Sequence, residues 1–565
     1  MTHVDAAVAA RLESWTADRV AERLWEKDGS LWAASGKKPE EIAAWLGWLD
    51  LPETMSARVT ELEHLARDVR EDGYRRAAVL GMGGSSLAPE LFSRLFGADP
   101  TGGLELRILD STHPDAVRGF RSWAGAQRTI FCVSSKSGST TEPNAYQAAM
   151  GEITPALDFI AITDPDTSLA ELARAQEFRG IVEAPPDVGG RYSALTVFGL
   201  LPAALHGVDL GGLLERARRM ADACHSADAS ANPGLRLGAL IGEAALAGRD
   251  KLTILTSSRL AAFGDWVEQL VAESTGKAGT GIVPIVGESV GDRTTYGDDR
   301  CFVYLRLADE TDPAMSVLAD EEIVLDGPLD VGAEFVRWEV ATAVAGIVLG
   351  IDPFDQPNVQ ESKDATKELL EAYRSTGSLP QPGPLVSEPG IAVSADPDAL
   401  GDTPVTVEGA IRQLLDLLQP ARDYFAILAY LPPDPAIVDR LEAIRRRVRE
   451  TRGVAATLGF GPRFLHSTGQ LHKGGPDTGV FLQLTADPSK DLPIPGWEES
   501  FGTLIAAQAL GDLTSLQRRG RRALRLHFAD LEAGLDRLEM MVDAEVGSAR
   551  WRRVDQSRTV TPRST

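Results

Sequence analysis

Six hydroxyl side chains and one lysine fall within the twelve residues VSSKSGSTTEPN, Val133 to Asn144, directly behind the apolar run TIFC. A strand ending at Val133, a Ser/Gly turn and a helix would together make an anion cradle. The helix start is marked by the capping pattern Ser139-x-x-Glu142, with Pro143 in the first turn. Its free backbone N–H groups and positive end point at whatever sits in the turn. Ser135, Ser137, Ser139 and Thr140 add hydroxyl donors, and Lys136 adds a full charge. The plainer alternative, a capped helix behind a polar loop, stays open on this stretch alone.

A parallel turn, VLGMGGSSLAPE, runs from Val79 to Glu90. It fails the dinucleotide fingerprint, because after Gly81 and Gly83 the third glycine position holds Ser86. A nicotinamide enzyme is therefore disfavoured. ESTGKAG, Glu273 to Gly279, lacks both the first glycine and the terminal Ser/Thr of a P-loop. Two Ser-bearing turns on neighbouring strands would face one small phosphorylated ligand at the carboxyl ends of a sheet. Glu273 should sit in the last turn of the helix GDWVEQLVAES, which Gly276 ends. The macrodipole there disfavours a carboxylate and moves it toward the range a proton shuttle needs. A solvated helix end is the alternative for Glu273, and a simple turn for Arg191 in VGGRYS, Val188 to Ser193.

These turns need strands and helices to hold them. From about Tyr74, short apolar runs alternate with helical stretches: AAVLGMG, LELRILD, TIFCVSS and DFIAITD, each followed by a helix. That alternation predicts a parallel sheet covered on both faces. A second series, KLTILTSS, GIVPIVG and CFVYLRL, begins near Leu237. The expected organisation is a helical arm over 1–65, α/β units over 66–235 and 236–373, a Pro-rich linker over 374–408, a smaller C-terminal α/β segment over 409–550 and a disordered tail over 551–565.

The 565-residue chain is 43% hydrophobic and carries a net charge of −25. Such a charge argues against nucleic acid, whose phosphates are bound through excess Lys/Arg. The basic runs Arg445–Arg449 and Arg518–Arg522 read as solvated helix faces. Three cysteines without CxxC spacing argue against a disulfide framework or thiolate zinc site, and no HxH or HExxH pattern occurs. No metal and no cofactor is expected. The longest apolar run, Val340 to Ile351, is too short to span a bilayer, and no secretory h-region follows Met1, so neither membrane nor secretion is indicated.

GMGGSSLAPE, SSKSGSTTE, VGGRYS, ESTGK and DPFDQPNVQ (Asp352 to Gln360), in that order, resemble the successive signatures of the glucose-6-phosphate isomerase family. HSTGQLHKGGPDTG resembles the isomerase half of bacterial transaldolase fusions, although no transaldolase half fits before the first unit. The resemblance implies an α/β fold of two sugar-isomerase (SIS) three-layer αβα sandwiches with parallel sheets. It also implies a cytoplasmic, cofactor-independent aldose–ketose isomerase working through a cis-enediol. Carried over, it makes Ser85, Ser135, Lys136, Ser137 and Thr140 the phosphate site and Gly84 and Gly190 substrate-facing backbone. Arg191 becomes the stabiliser of enediolate charge, Glu273 the base, and Lys473 an aid to ring opening. His466 stands where the family often has a glutamine. One departure is plain: TTYGDDR, Thr294 to Arg300, lacks the histidine that animal members carry there. His472 or His466 with Lys473, or else Asp298 or Asp299, would then supply the ring-opening acid. A filled polar turn is the plainer reading of both histidines. An isomerase that also accepts mannose 6-phosphate and a non-catalytic sugar-phosphate sensor are the rival functions, and a homodimer is a further expectation.

Overall fold

The first sheet is built from short, apolar strands: β1 (Arg76–Gly81), β2 (Glu105–Leu109), β3 (Thr129–Ser134), β4 (Phe159–Thr163) and β5 (Gly180–Glu183). Every residue of β3 and β4 is buried, as expected for strands with helices over both faces. This computed structural model describes residues 3–97, 102–380, 383–400 and 404–558. The sheet is parallel throughout, in the order β2-β1-β3-β4-β5. After β2 the chain crosses back over β1 to lay down β3. A crevice opens at such a switch point, outside the carboxyl ends of β1 and β3.

The second sheet is also parallel and holds β6 (Lys251–Thr256), β7 (Val283–Ile285), β8 (Arg300–Leu307) and β9 (Glu321–Leu325) in the order β7-β6-β8-β9. The helix Ala261–Thr275 leads out of β6, and its buried Trp266, Val267 and Leu270 join the largest core. The N-terminal helices join that core too, through Leu12, Trp15 and Trp32, whose indole N–H donates to Ala343 O at 2.8 Å. All three cysteines are buried thiols, each pushed up to about 12 by burial.

The last third of the chain differs most from the expectation. Residues 374–408 are not a bare linker, because they carry β10 (Val386–Glu388) and β11 (Ile391–Ala395). These two strands extend a mixed sheet completed by β12 (Tyr424–Tyr430), β13 (Ala455–Phe460), β14 (Gly479–Ala486) and β15 (Arg522–Phe528). The order is β10-β11-β15-β14-β12-β13, with β10 and β11 antiparallel. Flanking prolines and glycines hid two short strands, of which β10 is the sheet edge and β11 pairs on both sides. Residues 551–558 of the expected tail continue the helix Leu531–Arg558, and residues 559–565 lie outside the described residues.

The basic runs need the same correction. Arg445 and Arg449 are buried and donate to the carbonyls of Val286, Gly287 and Ser289, while Arg446 is exposed. In the second run Arg518 and Arg519 are exposed, as expected, whereas Arg522 opens β15 and pairs with Asp423 at 2.7 Å and Arg521 donates to Lys473 O and Gly475 O. Guanidiniums with several donors satisfy loop carbonyls between units, which a count of charges does not reveal.

Candidate active site

The crevice at the β1/β3 switch point is a cavity of about 320 Å³. After β1 the backbone turns through Gly83 at φ +53° into a short 3₁₀ turn, Gly83–Ser85. Only glycine fits at position 84, since a Cβ there would stand 1.9 Å from Gly190 O. The glycine turn at 83–84 thus packs backbone to backbone on the turn Gly190–Tyr192, which carries Arg191. Ser85 lines the cavity from this side.

After β3 the hydroxyl-rich turn forms the opposite wall. Ser135 Oγ donates to Thr140 Oγ1 at 3.0 Å, and the Ser137 and Ser139 hydroxyls lie 3.0 Å apart. The following helix, Thr141–Gly151, has Thr140 rather than Ser139 at its N-cap, and no side chain caps it. The expected box fails because Glu142 is engaged elsewhere: its Oε1 accepts from Gln508 Nε2 at 2.7 Å and lies 3.2 Å from His466 Nε2. Thr112 Oγ1 in turn donates to Gln508 Oε1 at 2.7 Å. Burial raises the Glu142 carboxyl, yet the charge and hydrogen bond of His466 outweigh it and hold the group below its ordinary value. Lys136 Nζ is tied to Asp164 and to Pro186 O at the cavity edge.

Glu273 and Arg191 line the same cavity. The helix Ala261–Thr275 ends just before Gly276, as the sequence predicts, and brings Glu273 to the opening. There Glu273 is 7% exposed. Its Oε1 lies 3.6 Å from Arg191 Nη1, and Gln269 Nε2 donates to its Oε2 at 3.2 Å. Gln269 Nε2 also donates to His466 O at 2.8 Å, so one amide spans the Glu273 carboxylate and the histidine turn. Arg191 is fixed by Ser274 Oγ (2.8 Å), Gln356 Oε1 (2.5 Å) and the carbonyls of Pro353 (2.6 Å) and Asp355 (3.0 Å). A guanidinium held by four acceptors keeps its position when a ligand arrives.

Of the sequence candidates, Gly84, Ser85, Ser135, Lys136, Ser137, Thr140, Gly190, Arg191, Glu273 and His466 all line this cavity. Lys473 and His472 do not. Lys473 Nζ makes a fully buried ion pair with Asp512, at 2.7 Å. His472 is enclosed by the rings of Tyr424, Phe464 and Phe481, and its Nδ1 has no hydrogen-bond partner. Burial, then the Lys473 and Arg521 charges, hold this imidazole well below its ordinary range. Both residues sit on the helix Gly469–Gly474, which turns them toward the third sheet and away from the cavity. Asp298 and Asp299 do not line the cavity either; buried Asp299 lies 3.6 Å from Lys251 Nζ.

Sequence reasoning missed Gln269, Gln356 and Lys363, which also line the cavity. Gln269 is one helical turn before Glu273 and so on the same face, a legible signal. Gln356 lay inside DPFDQPNVQ without a role, and Lys363 follows three residues beyond that motif. Among the described residues no group of three or more His, Cys, Asp and Glu side chains could hold a metal, and no helix is long and apolar enough to cross a membrane.

No protein-family model matches the chain. A glucose-6-phosphate isomerase of Carboxydothermus hydrogenoformans is 28% identical over 396 residues, 58% of this chain and 85% of that protein. Another, of Rubrobacter xylanophilus, is 28% identical over 421 residues, 61% of this chain and 95% of that one. Among solved structures, a hypothetical protein of Thermus thermophilus superposes with a TM-score of 0.55 at 22% identity, over 65% of this chain and 98% of its own. The crystal structure of a Chlamydia trachomatis glucose-6-phosphate isomerase superposes with a TM-score of 0.51 at 16% identity, over 64% of this chain and 86% of its own. The two structures establish a shared fold, and in sequence the chain is similar to enzymes named glucose-6-phosphate isomerase.

Proposed function

We propose that this protein interconverts glucose 6-phosphate and fructose 6-phosphate through a cis-enediolate. The observation that carries the reading is a carboxylate beside an anchored guanidinium, Glu273 and Arg191 at 3.6 Å, in one cavity with a hydroxyl-rich turn at a helix start. Aldose–ketose isomerisation moves one proton between C2 and C1 and another between their oxygens. One carboxylate on a single face of the enediol can carry the first, and no metal is needed for it. In this mechanism Glu273 takes the C2 proton and returns it to C1. Arg191 faces the charge that develops on the enediolate oxygens, the kind of fixed electrostatic contact that usually supplies the largest share of rate.

The phosphate is held by the turn Ser135–Thr140 with Ser85, where hydroxyls and helix amides converge. Among the ring-opening candidates, His466 is the one at the cavity, with Glu142 behind it fixing the imidazole. A histidine can give and take the ring proton near neutral pH. A sugar-phosphate sensor would need the cradle but neither Glu273 nor Arg191.

The test is turnover of the purified protein on glucose 6-phosphate and on mannose 6-phosphate, with and without chelator. The Glu273→Gln variant is expected to lower kcat at least ~100-fold, with KM within a few fold. Exchange of the C2 hydrogen with solvent should fall in parallel. Near-normal turnover or exchange in this variant would falsify the reading.

A further inference from the structure

A second cavity, of about 360 Å³, opens where β12, β14 and β15 end. The chain steps from β13 back across β12 to lay down β14, so this too is a crevice at the carboxyl ends of parallel strands beside a switch point. Tyr430 closes β12, Thr485 lies near the end of β14, and Arg525 and His527 come from β15. None of these residues belongs to the Glu273 cavity.

Arg525 is the unusual member. It is only 7% exposed, its Nε donates to Thr485 Oγ1 at 3.1 Å, and among the described residues no carboxylate pairs with it. Burial holds its guanidinium below the ordinary arginine value, with only the Tyr430 hydroxyl acting to raise it. The two acids at the cavity do not compensate that charge. Asp487 lies 3.4 Å from His527 Nε2, and Asp491 accepts from the Ser500 hydroxyl and from the amides of Leu492 (2.7 Å) and Gly502 (2.8 Å). A buried cation without a counter-charge is costly unless something anionic pairs with it. The Tyr430 hydroxyl is buried, near Asp512 but outside hydrogen-bond geometry, and Tyr430 lines the same space, where Ile505 and Ala509 supply apolar walls.

We propose that this cavity is a second ligand site, separate from the Glu273 site, which binds a small metabolite through an oxyanion group, phosphate ester or carboxylate, placed against Arg525. The apolar walls accept a compact carbon body behind that group.

Calorimetric titration of the full chain with inorganic phosphate, phenyl phosphate and benzoate tests this. The Ser-rich cradle also takes phosphate, so the wild type should show two phosphate-binding events and Arg525→Met one. Loss of the phenyl phosphate event alone identifies a phosphate ester; loss of benzoate binding identifies a carboxylate. The affected affinity should weaken at least tenfold in Arg525→Met. Ala506→Phe, which fills the cavity from its wall, should have the same effect and decides the matter if Arg525→Met does not fold. Isotherms for all three probes that are unchanged in the folded variants, or a wild type with no event beyond the cradle, overturn the proposal.

Discussion

Two lysine–aspartate pairs, Lys136–Asp164 and Lys473–Asp512, involve lysines that sequence reasoning assigned to substrate. In the first pair the side chains are 24% and 17% exposed; in the second, 1% and 0%. Lys136 stands at the rim of the Glu273 cavity, where solvent and ligand can compete for its ammonium. Lys473 is sealed between the helices Gly469–Gly474 and Phe501–Arg518. Similar chemistry at different depth has different uses: an accessible charge can exchange partners, whereas a sealed pair can only be kept or broken. His466 and His472 repeat the contrast over six residues, one at the cavity and one inside an aromatic cage.

The sealed pair gives the largest expected effect. Lys473→Met leaves the buried Asp512 carboxylate without its cation, and should cost about 3–5 kcal/mol in urea unfolding. Activity per folded molecule should stay near normal, and Lys473→Met/Asp512→Leu should recover much of the stability. A stable Lys473→Met protein that cannot open the sugar ring would return this lysine to the chemistry.

Next comes His466. His466→Gln should slow turnover of cyclic glucose 6-phosphate by about 100-fold, the lower end of what a positioned acid or base contributes. Solvent exchange of the C2 hydrogen of erythrose 4-phosphate, which has no free hydroxyl placed to close a ring, should change far less. Equal slowing of both substrates removes the ring-opening role and turns attention to Lys363.

The effect expected at the rim falls on KM and can be as small as about tenfold. Lys136→Ala should raise KM for the phosphorylated sugar by about 1.5–3 kcal/mol, the range for one charged hydrogen bond, while kcat stays within a few fold. A KM that does not move shows that Asp164 keeps the lysine occupied even with substrate bound.

Most of the site was legible because its parts sit at strand ends and helix ends, which punctuation residues mark. Ser135 follows a strand, Arg191 follows a glycine pair and Glu273 comes just before a helix stop, each readable in one pass. What could not be read was depth. HSTGQLHK places its polar residues side by side in sequence, but a helix of six residues turns His472 and Lys473 away from the face that His466 reaches. Nor did RRGRR announce a strand, since Arg521 and Arg522 precede an apolar run that carries one arginine of its own, Arg525. Periodicity reports which faces differ, not what lies opposite them.

The dependence of Glu142 on Gln508 and His466 has a consequence for the timing of synthesis. Both partners come from the last hundred or so residues, while the serine turns and Glu273 are translated in the first half. A nascent chain holding both parallel sheets would have the serine turns and Glu273, but neither His466 nor Gln508 to partner Glu142. On the proposed function, such an intermediate could hold a sugar phosphate without opening its ring. On the proposed mechanism, the carboxylate–histidine contact at the cavity is therefore completed late, once the chain through Gln508 has been made.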